Sequence, residues 1–206
     1  MKVLLINGSP HKEGCTYTAL REVADALERN GIETEIFHIG TEPVHGCIAC
    51  LTCFKEGKCV FDDDICNELA AKCAEADGIV VGSPVYFAGP NGALTALLDR
   101  IFYSSGRKLW NKPAAAVVSC RRGGASAAFD RLNKYFTINR MPVVSSQYWN
   151  SVHGRTPEDV KKDKEGLQTM RMLGENMAWL LKSIRDGNAP QPPVEKPQFT
   201  SFADGK

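Results

Sequence analysis

Neither sign of charge dominates this sequence: 25 Lys and Arg stand against 24 Asp and Glu in 206 residues. No global field therefore draws the chain onto nucleic acid or an anionic membrane, and a charged ligand has to be bound locally. No apolar run approaches the roughly 20 residues that span a bilayer. Met1–Ile6 leads straight into Asn7-Gly8-Ser9-Pro10 without the basic start, long apolar stretch and small-residue cleavage site of a signal peptide, so a cytoplasmic chain is expected. Also missing are the Walker spacing and Gly-x-Gly-x-x-Gly, which removes the usual cradle for ATP, GTP and dinucleotides.

What is present reads as one α/β domain, since 43% hydrophobic residues in a chain of this length build one core rather than two. Lys2–Ile6, Gly78–Gly82 and Ala114–Ser119 are short apolar runs of the kind found in strands buried on both faces. Ile32–Ile39 alternates and reads as an edge strand, and Pro142–Tyr148 is expected to be the fifth. Helical spacing falls between them: from Thr16 to the stop at Asn30-Gly31, Ile65–Ala76 behind a capping Asp62-Asp63-Asp64, Asn91–Phe102, Ala125–Phe136, and Glu158–Ile184 with a break near Gly166 or Gly174. This alternation predicts a doubly wound, five-stranded parallel sheet in three layers over residues 1–184, with a cysteine-rich loop after strand two. A Pro-rich tail, 185–206, is expected to be extended or disordered. In such sheets ligands sit beyond the carboxyl ends of the strands, which directs attention to the loops after strands one, three and four.

The first of these loops, Gly8 to Thr16, is rich in small and hydroxyl residues and opens a helix. Backbone N–H groups, the helix dipole and the Ser9 and Thr16 hydroxyls together suit a phosphate. An ordinary loop with Thr16 as N-cap is the plainer alternative. Without a dinucleotide cradle, a mononucleotide phosphate fits better. After strand three, Tyr86 and Phe87 lie between Pro84 and Pro90, forming either a stiff wall for a flat ring or a tight turn whose aromatics complete a core. Ser119-Cys120-Arg121-Arg122-Gly123-Gly124 holds the equivalent place after strand four. Its glycines permit close backbone approach and its arginines suit an anionic ring, although paired arginines are commonly solvated and such a cysteine commonly packs.

Eight cysteines with no export signal favour metal or redox chemistry over a disulfide framework. Four fall in Cys47-x-x-Cys50-x-x-Cys53-x5-Cys59, whose two-residue gaps let successive thiolates close around one compact centre. Three readings compete: a four-iron cluster, a zinc ion on four thiolates, and unligated cysteines. Zinc knuckles usually pair across a longer spacer, which favours the first. Lys55 and Lys58 read as solvated, and His45 as a solvated loop histidine.

The sheet pattern, Gly8-Ser9-Pro10 with Gly14 and Thr16, and Ser83-Pro84-Val85-Tyr86 together resemble the NAD(P)H-dependent FMN reductase group of flavodoxin-like proteins, over residues 1–184. The resemblance implies that the first loop (Ser9, Pro10, His11, Cys15, Thr16) holds the FMN phosphate. It likewise implies that Pro84, Val85, Tyr86, Phe87 and Gly89, with Ser119, Cys120, Arg121, Gly123 and Gly124, hold the ring. His11 and Cys15 depart from the Arg and Asn that the group usually has there. Within that group the cysteine motif is similar to that of the iron-sulfur flavoproteins, which implies a 4Fe-4S cluster on Cys47, Cys50, Cys53 and Cys59. NAD(P)H as donor, a homodimer or homotetramer, and a small redox molecule or ferredoxin-like protein as partner are further implications. No catalytic side chain is expected, because electron transfer needs no side-chain acid or base.

Overall fold

A computed structural model of the chain describes residues 1–195 and 198. Among these residues, five parallel strands form one sheet in the order β2-β1-β3-β4-β5. They are β1 (Lys2–Asn7), β2 (Glu33–His38), β3 (Gly78–Pro84), β4 (Ala114–Cys120) and β5 (Ser151–His153). β2 is an edge strand, as its alternating pattern predicts, while β1, β3 and β4 are buried almost throughout.

Because side chains alternate across a strand, neighbouring residues feed opposite faces of the sheet. Leu4, Ile6, Ile79, Val81, Ala116 and Val118 pack against helices α3 (Cys66–Glu75), α4 (Gly92–Leu109) and α5 (Ala125–Ile138). Val3, Leu5, Val80, Ala115 and Val117 pack against α1 (Cys15–Arg29) and α7 (Lys164–Asp186). Each fully buried Leu, Ile or Val contributes about 1.5–3 kcal/mol by transfer out of water, and both faces are filled in this way. A four-residue helix, α2 (Cys53–Glu56), lies inside the cysteine segment, and another, α6 (Pro157–Val160), follows β5.

The sequence expectations need three corrections. The fifth strand is Ser151–His153 rather than Pro142–Tyr148. Pro142 and Val144 touch the start of β4, the Ala114 amide donating to the Pro142 carbonyl and the Val144 amide to that of Ala114. The chain then swings out at Ser145–Trp149, where the Ser145 carbonyl accepts from Asn176 of α7 and the Tyr148 carbonyl from the Ser146 hydroxyl instead of pairing with β4. It returns at Asn150, whose Nδ2 donates to the Ala116 carbonyl at 3.0 Å. The closing helix breaks at Lys161–Asp163, where Asp163 caps α7 by accepting from the Gly166 amide at 2.9 Å; Gly166 and Gly174 lie inside the helix. Helix α1 starts at Cys15 with Gly14 as its N-cap, so Thr16 is an inner residue of the first turn. Residues 187–195 of the Pro-rich tail have no helix or strand, and the rest of that tail beyond them, apart from Gln198, lies outside the described residues. Among the described residues no helix is long and apolar enough to cross a membrane.

Candidate functional site

The loop after β1 is tied down from within. The Gly8 amide donates to the Gly82 carbonyl at 2.8 Å, joining the ends of β1 and β3. Asn7 accepts from the Ser9 amide and donates to the Lys12 carbonyl, while the Ser9 hydroxyl accepts from the His11 amide at 3.1 Å. The first intrahelical bond of α1 runs from the Thr18 amide to the Gly14 carbonyl, so the amides of Cys15, Thr16 and Tyr17 open the helix without intrahelical acceptors. They point the positive end of a 15-residue helix out of the carboxyl edge of the sheet.

The Thr16 hydroxyl, buried, meets the Ser119 hydroxyl at 2.9 Å, bridging the first turn of α1 to the end of β4. A cavity of about 240 Å³ opens beside this pair. The first loop contributes Ser9, His11, Cys15 and Thr16, the loop after β3 contributes Pro84, Val85 and Tyr86, and the loop after β4 contributes Ser119, Cys120 and Arg121. Pro10 lines an adjoining cavity of about 510 Å³ that shares His11, Cys15 and Arg155 with the first. Burial raises the Cys15 and Cys120 thiols above their ordinary value, so both are neutral near pH 7.

Phe87, Gly89, Gly123 and Gly124 do not line this cavity. Tyr86 and Gly89 exchange both backbone hydrogen bonds around Phe87 and Ala88, which take φ of 48° and 60°. That is the mirror-image turn glycine and asparagine normally supply, and Phe87 stands fully exposed at its tip. Gly124 supports the turn from behind: at φ 88°, a Cβ there would stand 2.9 Å from Ala88 Cα.

Gly154 and Arg155 complete the cavity wall, and the Cys15 thiol reaches the Gly154 carbonyl at 3.8 Å. Sequence reasoning missed both because the fifth strand was placed too early. With β5 at Ser151–His153, residues 154–156 become one more loop at the carboxyl edge.

The cysteine segment lies between β2 and α3. Cys47, Cys50, Cys53 and Cys59 line one cavity of about 20 Å³, room for about one water, which has no lining residue in common with the first. Ala49 and Leu51 have φ of 53° and 60°, and Leu51 is followed by Thr52 at −55°; alternating signs of this kind turn successive amides toward one side. Hydrogen bonds from the Thr52 hydroxyl and amide hold the Cys50 thiol below its ordinary value, and burial raises that of Cys53. Among the described residues, no three His, Cys, Asp or Glu side chains converge closely enough to hold a single metal ion.

Arg100 of α4 ties this segment to the core, with only 1% of its side chain exposed. It pairs with Asp64, 3% exposed, and donates from Nε to Cys59 Sγ at 3.1 Å and from Nη1 to the His45 carbonyl at 3.2 Å. Burial pushes the Asp64 carboxyl up, but Arg100 and the amides of His45 and Cys66 outweigh that and hold it below the usual range. His45 is not a freely solvated histidine: its ring stacks on Phe61 and bonds Asp63 at 3.1 Å. Lys58 pairs with Asp62 at 3.1 Å, and Lys55 is exposed. The available signal for Arg100 was a charge adjoining the apolar positions Leu97 and Ile101 of α4, opposite a run of three aspartates first read as a cap.

The family model described as NADPH-dependent FMN reductase matches residues 1–156. An iron-sulfur flavoprotein of Methanocaldococcus jannaschii is 39% identical over 193 residues, covering 90% of this chain and 100% of its own. An iron-sulfur flavoprotein of Methanosarcina thermophila is 31% identical over 189 residues, covering 90% of this chain and 97% of its own. Among solved structures, a flavodoxin from the domain Archaea superposes with a TM-score of 0.60 at 15% identity, over 88% of this chain and 99% of that one, a likeness of fold alone.

Proposed function

The chain belongs to the NADPH-dependent FMN reductase family, and from that premise we propose that it is an FMN-dependent oxidoreductase that couples FMN to a 4Fe-4S cluster, with NAD(P)H as donor. The observation that carries the reading is that all four cysteines of the motif line one cavity in a flavodoxin-like fold, while the free first-turn amides of α1 open at the carboxyl edge of the sheet. When bound, FMN accepts a hydride or single electrons and a four-iron cluster exchanges one electron at a time.

The chain's own groups supply position and charge. The first-turn amides of α1 and the Thr16–Ser119 pair receive the phosphate. Pro84, Val85 and Tyr86 wall the ring, and Arg121 and Arg155 bring positive charge to the same cavity. Four thiols form the soft donor set that an iron-sulfur cluster takes. Their cavity is small, so housing a cluster requires the exposed stretch carrying Cys47 and Cys50 to move outward. No catalytic side chain is assigned.

Self-association as a homodimer or homotetramer is part of the same proposal. Exposed Ile48, Leu51 and Phe54 around the cysteines support it, since apolar clusters of this kind mark contact surfaces. A small redox molecule or a ferredoxin-like protein is the proposed electron partner.

A visible spectrum with iron, sulfide and zinc analysis on anaerobically purified protein tests the reading. Flavin bands with a broad brown shoulder and about four irons per chain are expected for such a cluster. Flavin without iron would reduce the protein to a simple FMN reductase, zinc would make the cysteines structural, and absence of flavin would remove the central claim. Anaerobic turnover with NADPH and with NADH tests the donor and separates an enzyme from an electron carrier.

A further inference from the structure

We infer that Arg100 is a positioning residue that fixes the cysteine segment and sets the reduction potential of the cluster held there, an inference that rests on the cluster reading above. Each nitrogen of its guanidinium has a partner in residues 45–64. Nε donates to Cys59 Sγ at 3.1 Å, Nη1 to the His45 carbonyl at 3.2 Å and to Asp64, and Nη2 weakly to the Phe61 carbonyl at 3.4 Å. The guanidinium also lies 5.4 Å from the Phe61 ring centre. A rigid fork on an 18-residue helix is thus the template on which an otherwise exposed segment is laid.

The electrostatic consequence follows from the bond to sulfur. Reduction adds one negative charge to a cluster, so a cationic donor on a ligand sulfur favours the reduced form and raises the potential. Asp64 opposes it: the pair is neutral as a whole, with the arginine on the sulfur side. Removing the positive partner therefore lowers the potential, and removing the negative partner raises it. A purely structural role gives no such opposition of sign, because loosening the segment from either side disturbs the cluster in the same way. Lysine keeps the charge but not the fork, so it cannot serve Sγ, Asp64 and two carbonyls together.

The test compares full-length wild type, R100K, R100Q and D64N after anaerobic reconstitution, with iron, sulfide and flavin content measured beside a potentiometric titration of the cluster. R100Q is expected to lower, and D64N to raise, the one-electron equilibrium constant at least tenfold, which is 59 mV for one electron; R100K falls between R100Q and wild type. Equilibrium constants of R100Q and D64N within tenfold of wild type, or shifts of R100K and D64N in the same direction, overturn the inference. R100K and D64N carry the test if R100Q does not fold. Wild type without iron would mean that the cluster reading, not the positioning role, has failed. That role is then read separately in metal-free protein, where chymotrypsin should cut within residues 45–64 at least tenfold faster in R100Q than in wild type. An unchanged cutting rate overturns the positioning role.

Discussion

The bond between Thr16 and Ser119 leads to a sharp expectation about flavin binding. Each hydroxyl owns one hydrogen; with the oxygens 2.9 Å apart, one hydrogen is spent between them and one remains for a ligand. Thr16 stands in the first turn of α1, among the amides proposed to receive the phosphate, and Ser119 at the end of β4. S119A frees the Thr16 hydrogen, so FMN affinity should stay within about threefold. T16V keeps the shape and deletes the hydroxyl nearest the helix terminus. A hydrogen bond to a charged group contributes about 1.5–3 kcal/mol, so T16V should weaken FMN binding by roughly 10- to 150-fold. The double variant should match T16V. Fluorescence-quenching titrations with FMN and with riboflavin read the result, because riboflavin lacks the phosphate and should bind T16V and wild type alike. If S119A loses as much as T16V, or if riboflavin loses as much as FMN, the assignment of Thr16 to the phosphate is wrong.

Other expectations concern the supports of the two sites. R100M should cost about 3–5 kcal/mol in urea unfolding of the metal-free protein, because it strands a buried carboxylate, whereas R100M/D64L should recover most of the loss. Asp64 is held below its ordinary value of 3.8, so its stabilisation is complete above that pH and is lost as pH falls through the lower folded value. D64N should accordingly flatten the acid limb of a pH–stability curve below about pH 4; an unchanged limb would show that the pair is not formed. G124A should destabilise by about 1–3 kcal/mol and weaken flavin binding, since its Cβ meets the Phe87–Ala88 turn at a φ side chains avoid. G123A is the control: a Cβ there has open space within 4 Å and should change neither property.

The sheet was legible because its signals are local. The apolar runs at β1, β3 and β4 and the helical spacing between them depend only on which residues must leave water, and parallel order follows from strands that alternate with helices. The fifth strand was not legible, since Pro142–Tyr148 has strand-like composition while Ser151–His153 is too short to register. Only pairing with Val118–Cys120 selects it. That misplacement also hid Gly154 and Arg155.

Glycine-rich and cysteine-rich spacings, which constrain the backbone over a few residues, were enough to single out the loop after β1 and the segment Cys47–Cys59 as the places to look. Tertiary structure decided how those pieces are held. It spends one Thr16–Ser119 hydrogen internally, turns Phe87 out to solvent and brings Arg100 across to Cys59 and Asp64. Each of these joins residues tens of positions apart or fixes a turn by packing from another loop, and no local pattern of charge or hydrophobicity encodes such a meeting.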